Sequence, residues 1–227
     1  MSSGNVERRL LPLELGELRV VPAAGVDGGG GEERIRGYFA RFDTWSPVYG
    51  NFRERIAPSF LEGVLEGADI RCLWNHNADF PIGRTVSGTL EVGVDERGGW
   101  YAVRPPSSEL VRGMVLDPIA RGDVSGSSFA FTVREDAWAE GEDGIMERTL
   151  LRAGEILEVS PVVFPFYPDT SSSLRSLEAW RAAGLAVVDL AGTGSAPPRV
   201  TEPGSEALRR ARLRQRRAEL ELAAGGE

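Results

Sequence analysis

The sequence predicts a mixed, mainly β protein: a β-barrel or mixed sheet with peripheral helices. Three observations carry that expectation. Short runs of alternating apolar and polar residues recur between positions 32 and 184. Clusters of Gly, Pro, Asn and Asp separate them. Apolar residues at helical spacing occur in only a few short stretches. Repeated short strands bounded by turn residues, with few helices between them, read as an antiparallel or mixed sheet architecture.

Taken in order, Leu15–Val21 is the first candidate strand, inside an N-terminal arm over 1–31 that ends in the flexible run Asp27-Gly-Gly-Gly-Gly31. Arg34–Phe42 is a β-like run. Residues 58–66 form a short helix with Phe60, Leu61, Val64 and Leu65 on one side. Ile70–His76 reads as a strand. Thr85–Val94 and Gly99–Arg104 flank Asp95-Glu-Arg-Gly98, a hairpin signal. Ser107 or Ser108 caps a helix whose apolar face is Val111, Met114, Val115 and Ile119, bent at Pro118. Ser127–Val133 and Ile156–Phe164 are strands, and Leu174, Leu177 and Trp180 mark a last helix. Organisation follows from composition: a folded unit over 32–188, an Ala/Gly/Pro/Ser/Thr linker over 189–204, and an arginine-rich helical tail over 205–227.

Composition excludes several chemistries. With 227 residues, one cysteine and one histidine, the chain holds neither an intrachain disulfide nor a multi-cysteine or paired-histidine metal site. No apolar run approaches the roughly 18 residues of a membrane span, and the N-terminal residues lack the order of a secretory signal. All 26 cations are arginine. The glycine run at 28–31 lacks the Lys-Ser/Thr ending and following helix of a phosphate loop.

The sole imidazole, His76, sits in Leu73-Trp-Asn-His-Asn77. A half-buried structural histidine is the plain reading. Any histidine-dependent mechanism must nonetheless use this residue, since imidazole titrates near neutrality and is the usual general base. In Gly126-Ser-Ser-Phe-Ala-Phe-Thr-Val133, alternation puts Ser127, Phe129, Phe131 and Val133 on one face and Ser128, Ala130 and Thr132 on the other. The phenylalanines claim the core and Ser127 goes with them. Ser128 stands on a face of small side chains with room for a substrate, or on an ordinary polar face. In Glu155–Thr170, alternation aligns Ile156, Glu158 and Ser160, with Glu155 on the side opposite Glu158. A carboxylate within an apolar strand needs a partner or solvent. Cys72 lies four residues before His76, roughly 13 Å along a strand, too far for proton transfer, and reads as a buried structural thiol.

Four ordered segments then carry a resemblance: Glu54–Phe60, Trp74–Asn77 with Pro81–Arg84, Gly126–Phe131, and Leu157–Thr170. Together, over about 34–175, they resemble the prohead maturation proteases of tailed bacteriophages, the HK97-like family related to herpesvirus assemblins. The resemblance implies a herpesvirus-protease-like β-barrel with surrounding helices. It also implies a serine endopeptidase without cofactor that works inside the immature capsid in the host bacterial cytoplasm. There it would cleave scaffold protein or the scaffold-like region of the major capsid protein, and itself.

By the same resemblance Ser128 is the nucleophile and His76 the general base. The third place, held by a second histidine in the herpesvirus relatives, passes to Glu158. Ala130, where relatives often carry glycine, and Phe166, where alanine is common, depart from the pattern. The tail carries about +5 over 205–218 against about −13 for the remainder. That points to a tether for acidic scaffold or capsid surfaces, a solvated helix, or a self-cleavage product. The absence of an aromatic residue in it argues against nucleic-acid stacking. Homodimer or higher assembly is left open. The rival readings are a catalytically inactive scaffold or capsid-assembly protein with a protease fold, and an unrelated β-barrel binding module in which His76 and Glu158 contact a ligand.

Overall fold

The computed structural model describes residues 6–11, 13–22, 33–49, 51–164, 187–188 and 200–201. The glycine run, the helix expected around Leu174–Trp180 and the arginine tail lie outside these residues. The described chain is mainly β. One sheet has six strands: β1 (Val6–Leu11), β9 (Gly126–Glu140), β10 (Met146–Val162), β5 (Arg71–Trp74) and β6 (Asn77–Arg84) in that order, with β4 (Phe52–Ile56) also pairing β10. A second has four, in the order β2 (Arg19–Val21), β3 (Arg34–Arg41), β8 (Gly98–Val103), β7 (Leu90–Asp95). The two-residue strands β11 (Val187–Val188) and β12 (Val200–Thr201) pair with each other, β12 falling inside the segment expected to be a linker. The described strands make open sheets, not the closed barrel expected from the resemblance.

The two large sheets share one hydrophobic core. Ile35 and Phe39 of β3 and Tyr101 and Val103 of β8 meet Phe129 and Phe131 of β9 and Ile156 and Val159 of β10. The Phe39 and Phe129 rings lie 5.4 Å apart, and Phe60 meets Phe131 edge-on at 5.3 Å. The β9–β10 hairpin is the spine, much longer than the two runs expected at 127–133 and 156–164. Its outer halves carry Arg134, Glu135, Asp136, Glu147, Arg148 and Arg152, and such charge density conceals a strand from a hydrophobicity pattern. β10 pairs in parallel with β4 near its start and with β5 near its end.

Two local features depart from simple periodicity. The helical stretch 109–121 begins as expected, with the Ser108 hydroxyl accepting from the Val111 N–H at 3.3 Å. It then passes through a π-helical turn, Arg112–Leu116, two residues before Pro118. The wider turn rotates the apolar face, so Leu116 is buried beside Val111, Val115 and Ile119 while Met114 is 48% exposed. The helix expected over 58–66 is a single 3-10 turn, Pro58–Leu61. Its Phe60 and Leu61 are buried in the core, with Val64 and Leu65 packed at the edge.

β1 was not foreseen as a strand. It pairs antiparallel with β9, setting Arg8 opposite Ala130 and Leu10 opposite Ser128. Its other face carries Glu7 and Arg9 into a charged cluster with Glu54, Asp136 and Arg148. Arg148 is 1% exposed and donates to both Glu7 carboxylate oxygens, at 2.9 and 3.1 Å. Burial works against the charge on Glu7, but Arg148 and Arg9 outweigh it and hold the carboxyl down to about 2.

Candidate active site

Three backbone devices bring the candidate side chains together. The first is the regular ladder of β9. Ser127, Phe129 and Phe131 turn into the core, where the Ser127 hydroxyl meets the Tyr101 hydroxyl at 3.0 Å. Ser128 and Ala130 therefore face the other side, as the alternation predicted, with Leu10 and Ser160 flanking Ser128 on the neighbouring strands.

The second is a bulge in β10. Ile156 is paired with Phe131 and Glu158 with Ala130, so Leu157 is an extra residue in the ladder. Strict alternation would place Ile156 on the Glu158 face. The bulge instead lets Ile156 and Val159 both enter the core while Glu158 and Ser160 face the Ser128 side, opposite Ala130 and Ser128. The same bulge sets Glu155, opposite Thr132, on the same side as Glu158 and not the opposite side as alternation alone implied; Glu155 is exposed.

The third is the β5–β6 hairpin. Strand β5 ends at Trp74, two residues short of the expected end, and Trp74 pairs with Asn77 across a two-residue turn made of Asn75 and His76. Both turn residues have left-handed backbones, φ 51° and 61°, the geometry of a type I′ hairpin turn. His76 thus leaves the strand and does not share a face with Cys72 and Trp74. The turn is tied to the end of β10: the Asn75 N–H donates to the Pro161 carbonyl at 3.0 Å, and the Asn75 side-chain oxygen accepts from the Val163 N–H at 3.3 Å.

The result is that His76 Nδ1 lies 2.6 Å from Glu158 Oε1. Glu158 is 6% exposed. Burial pushes its carboxyl up, but the hydrogen bond and charge of His76, and then Arg8, prevail and hold it below the usual glutamate range. An ionised carboxylate only accepts hydrogen bonds, so Nδ1 is the protonated nitrogen and Nε2 of the neutral ring carries the lone pair. Arg8 Nε donates to the same Glu158 oxygen at 3.3 Å.

His76 and Ser128 line one cavity of about 230 Å³, together with Arg8, Leu10, Asn75, Val162 and Phe164. Ser128 is fully buried within the protein and its hydroxyl has no hydrogen-bond partner; the same holds for Ser160. A buried hydroxyl without a partner costs about 1–3 kcal/mol, so two of them on facing strand positions, one lining the cavity, are hard to explain by stability alone. Cys72, by contrast, is sealed in the core, where burial and then the Glu158 charge push its thiol well above the ordinary range; such a thiol is inert. Among the described residues no group of three His, Cys, Asp or Glu side chains could hold a metal ion.

The family model of the caudovirus prohead serine proteases matches residues 20–182. The chain belongs to that family. No curated protein and no solved structure matches it. The chain is therefore a serine protease of phage capsid maturation, acting inside the procapsid and in association with capsid components. No helix among the described residues is long and apolar enough to cross a membrane. The match runs from within β2 through β10 and so includes His76, Ser128 and Glu158; β1, with Arg8 and Leu10, lies outside it.

Arg8, Asn75 and Ser160 are neighbours of the candidate site that sequence reasoning did not single out. Ser160 was legible, because it stands two residues from Glu158 in an extended segment. Asn75 carried a weaker signal, since asparagine is among the residues most tolerant of a left-handed turn. Arg8 carried none, as Val6–Leu11 reads as a charged terminus until β9 is placed beside it.

Proposed function

We propose that this prohead protease is a serine endopeptidase with Ser128 as nucleophile, His76 as general base and Glu158 as the residue that orients the imidazole. Its substrates are the scaffold protein or the scaffold-like region of the major capsid protein, with self-cleavage as a further event. The observation that carries the reading is the 2.6 Å contact of His76 Nδ1 with Glu158, beside a buried, unpartnered Ser128 hydroxyl in the same cavity.

In this mechanism Glu158 holds the Nδ1–H tautomer, and Nε2 accepts the Ser128 proton as the hydroxyl oxygen attacks the scissile carbonyl. The imidazolium, stabilised by Glu158, then protonates the leaving amine. Water repeats the sequence on the acyl-enzyme. The hydrogen bond from Ser128 to His76 forms when substrate enters, as catalytic hydrogen bonds commonly tighten only in the loaded site. The arginine-rich tail acts as a tether to acidic capsid or scaffold surfaces, opposite in charge to the body of the chain.

The test is co-expression with the neighbouring capsid gene, read by gel and intact mass, alongside labelling with a serine-directed phosphonate. Wild type processes the capsid protein and is labelled at Ser128 alone. Ser128→Ala folds, is not labelled, and loses on the order of 10⁴–10⁶ in turnover. Normal processing by Ser128→Ala overturns the assignment.

A further inference from the structure

The reading above needs a group to receive the negative charge on the carbonyl oxygen when Ser128 attacks. We propose that the side-chain amide of Asn75 is that group, an inference that rests on the Ser128–His76–Glu158 assignment.

Asn75 lines the same cavity as Ser128 and His76. Two bonds hold it there: its N–H to the Pro161 carbonyl and its side-chain oxygen to the Val163 N–H. The second bond decides which way the amide faces. A backbone N–H can be accepted only by the amide oxygen, so Nδ2, with its two N–H donors, is the end left over. Among the described residues Nδ2 has no protein partner. The left-handed backbone, φ 51°, aims the side chain from the hairpin tip and suits asparagine better than nearly any residue but glycine. A donor whose orientation is set before substrate arrives is what charge stabilisation in a transition state requires, since no reorganisation is needed during the reaction.

The step balances simply. The Ser128 oxygen forms a bond to the carbonyl carbon, its proton passes to His76 Nε2, and the carbonyl π pair moves onto oxygen, where Asn75 Nδ2–H donates to it. Collapse returns that pair, breaks the C–N bond, and the amine leaves with the proton from His76.

Asn75→Asp separates this role from a structural one. Aspartate keeps an oxygen for the Val163 N–H and tolerates the left-handed backbone, but it has no donor. With the full chain and a fluorogenic peptide spanning the capsid junction that intact mass identifies in the co-expression above, Asn75→Asp should lower the pH-independent plateau of kcat by about 10²–10³-fold. KM should stay within about threefold, and a peptide aldehyde inhibitor should bind correspondingly less tightly. Asn75→Gly, which fits the backbone and removes both amide atoms, should lose as much.

A plateau kcat for Asn75→Asp within threefold of wild type overturns the proposal. So does a shifted pH profile with an intact plateau, or loss in Asn75→Gly without loss in Asn75→Asp. If thermal melting shows that the aspartate variant does not fold, the aldehyde affinity and plateau kcat of Asn75→Gly decide, near-wild-type values overturning the proposal. Ser128→Ala in the same assay keeps the two readings apart: near-wild-type cleavage there removes the triad itself, whereas a Ser128→Ala reduced about 10⁴-fold or more beside an active Asn75→Asp removes only the oxyanion assignment.

Discussion

His76 adopts a left-handed backbone, costly for a residue with a β-carbon by roughly 1–2 kcal/mol, and its ring is anchored by Glu158. Glu158→Gln keeps the shape and removes the charge, so the imidazolium loses its stabilising partner and the tautomer is no longer enforced. Turnover should fall by about 10²–10⁴-fold with KM little changed, measured on the capsid-junction peptide. Because Glu158 is held below the usual glutamate range, it remains ionised through mildly acidic pH, and an activity limb nearer neutrality in wild type reports another group. Ser160 offers a contrasting prediction. Its hydroxyl is buried without a partner, so Ser160→Ala should leave the melting temperature unchanged or raise it, by an amount corresponding to about 1 kcal/mol. A clear loss of stability would mean that the hydroxyl makes a bond in solution.

At the scale of elements, the Leu157 bulge and the type I′ turn do the positioning. Deleting Leu157 removes the extra residue and leaves Ile156 and Glu158 as neighbours opposite Phe131 and Ala130, on opposite faces of a regular ladder; the variant should therefore still fold in thermal melting, with Ile156 in the core and Glu158 on the Ser128 side. The β7–β8 hairpin depends on one backbone position. Gly98 has φ 156°, and a β-carbon there would stand 2.0 Å from the Ala40 carbonyl oxygen. Gly98→Ala must therefore separate β8 from β3, and should destabilise by about 2–4 kcal/mol in chemical denaturation. Phe131, stacked on Phe129 and met edge-on by Phe60, should cost about 3–5 kcal/mol when cut to alanine.

Across the whole molecule, β1 joins the cavity to the buried charge cluster. One face lends Arg8 and Leu10 to the candidate site; the other lends Glu7 to Arg148. Glu7→Gln leaves Arg148 buried with part of its compensation gone and should cost about 3–5 kcal/mol. The pH dependence has a definite sign. Glu7 is depressed from 4.5 to about 2 on folding, so its contribution is fully present above pH 4.5 and is lost as pH falls toward 2. Wild type should thus lose stability steeply across that interval, and Glu7→Gln less steeply, as read from denaturation midpoints against pH.

Much of this protein was legible in the order of its residues. Alternation in 126–133 separated Ser128 from Ser127, the strands β3, β5 and β8 were found within two residues of their ends, β7 was found with its start placed five residues early across a 3-10 turn, and the four ordered segments pointed to the family that the comparison then established. These are local matters: periodicity, turn chemistry and short motifs depend on neighbours along the chain. The strand nature of β1, the outer halves of β9 and β10, the bulge at Leu157 and the departure of His76 from its strand were decided in three dimensions. Each depends on a partner far away in sequence. A charged run such as Val6–Leu11 becomes a strand only when Arg148, Glu54 and the edge of β9 are there to receive it, and no pattern within six residues encodes partners that lie 45 to 141 positions away.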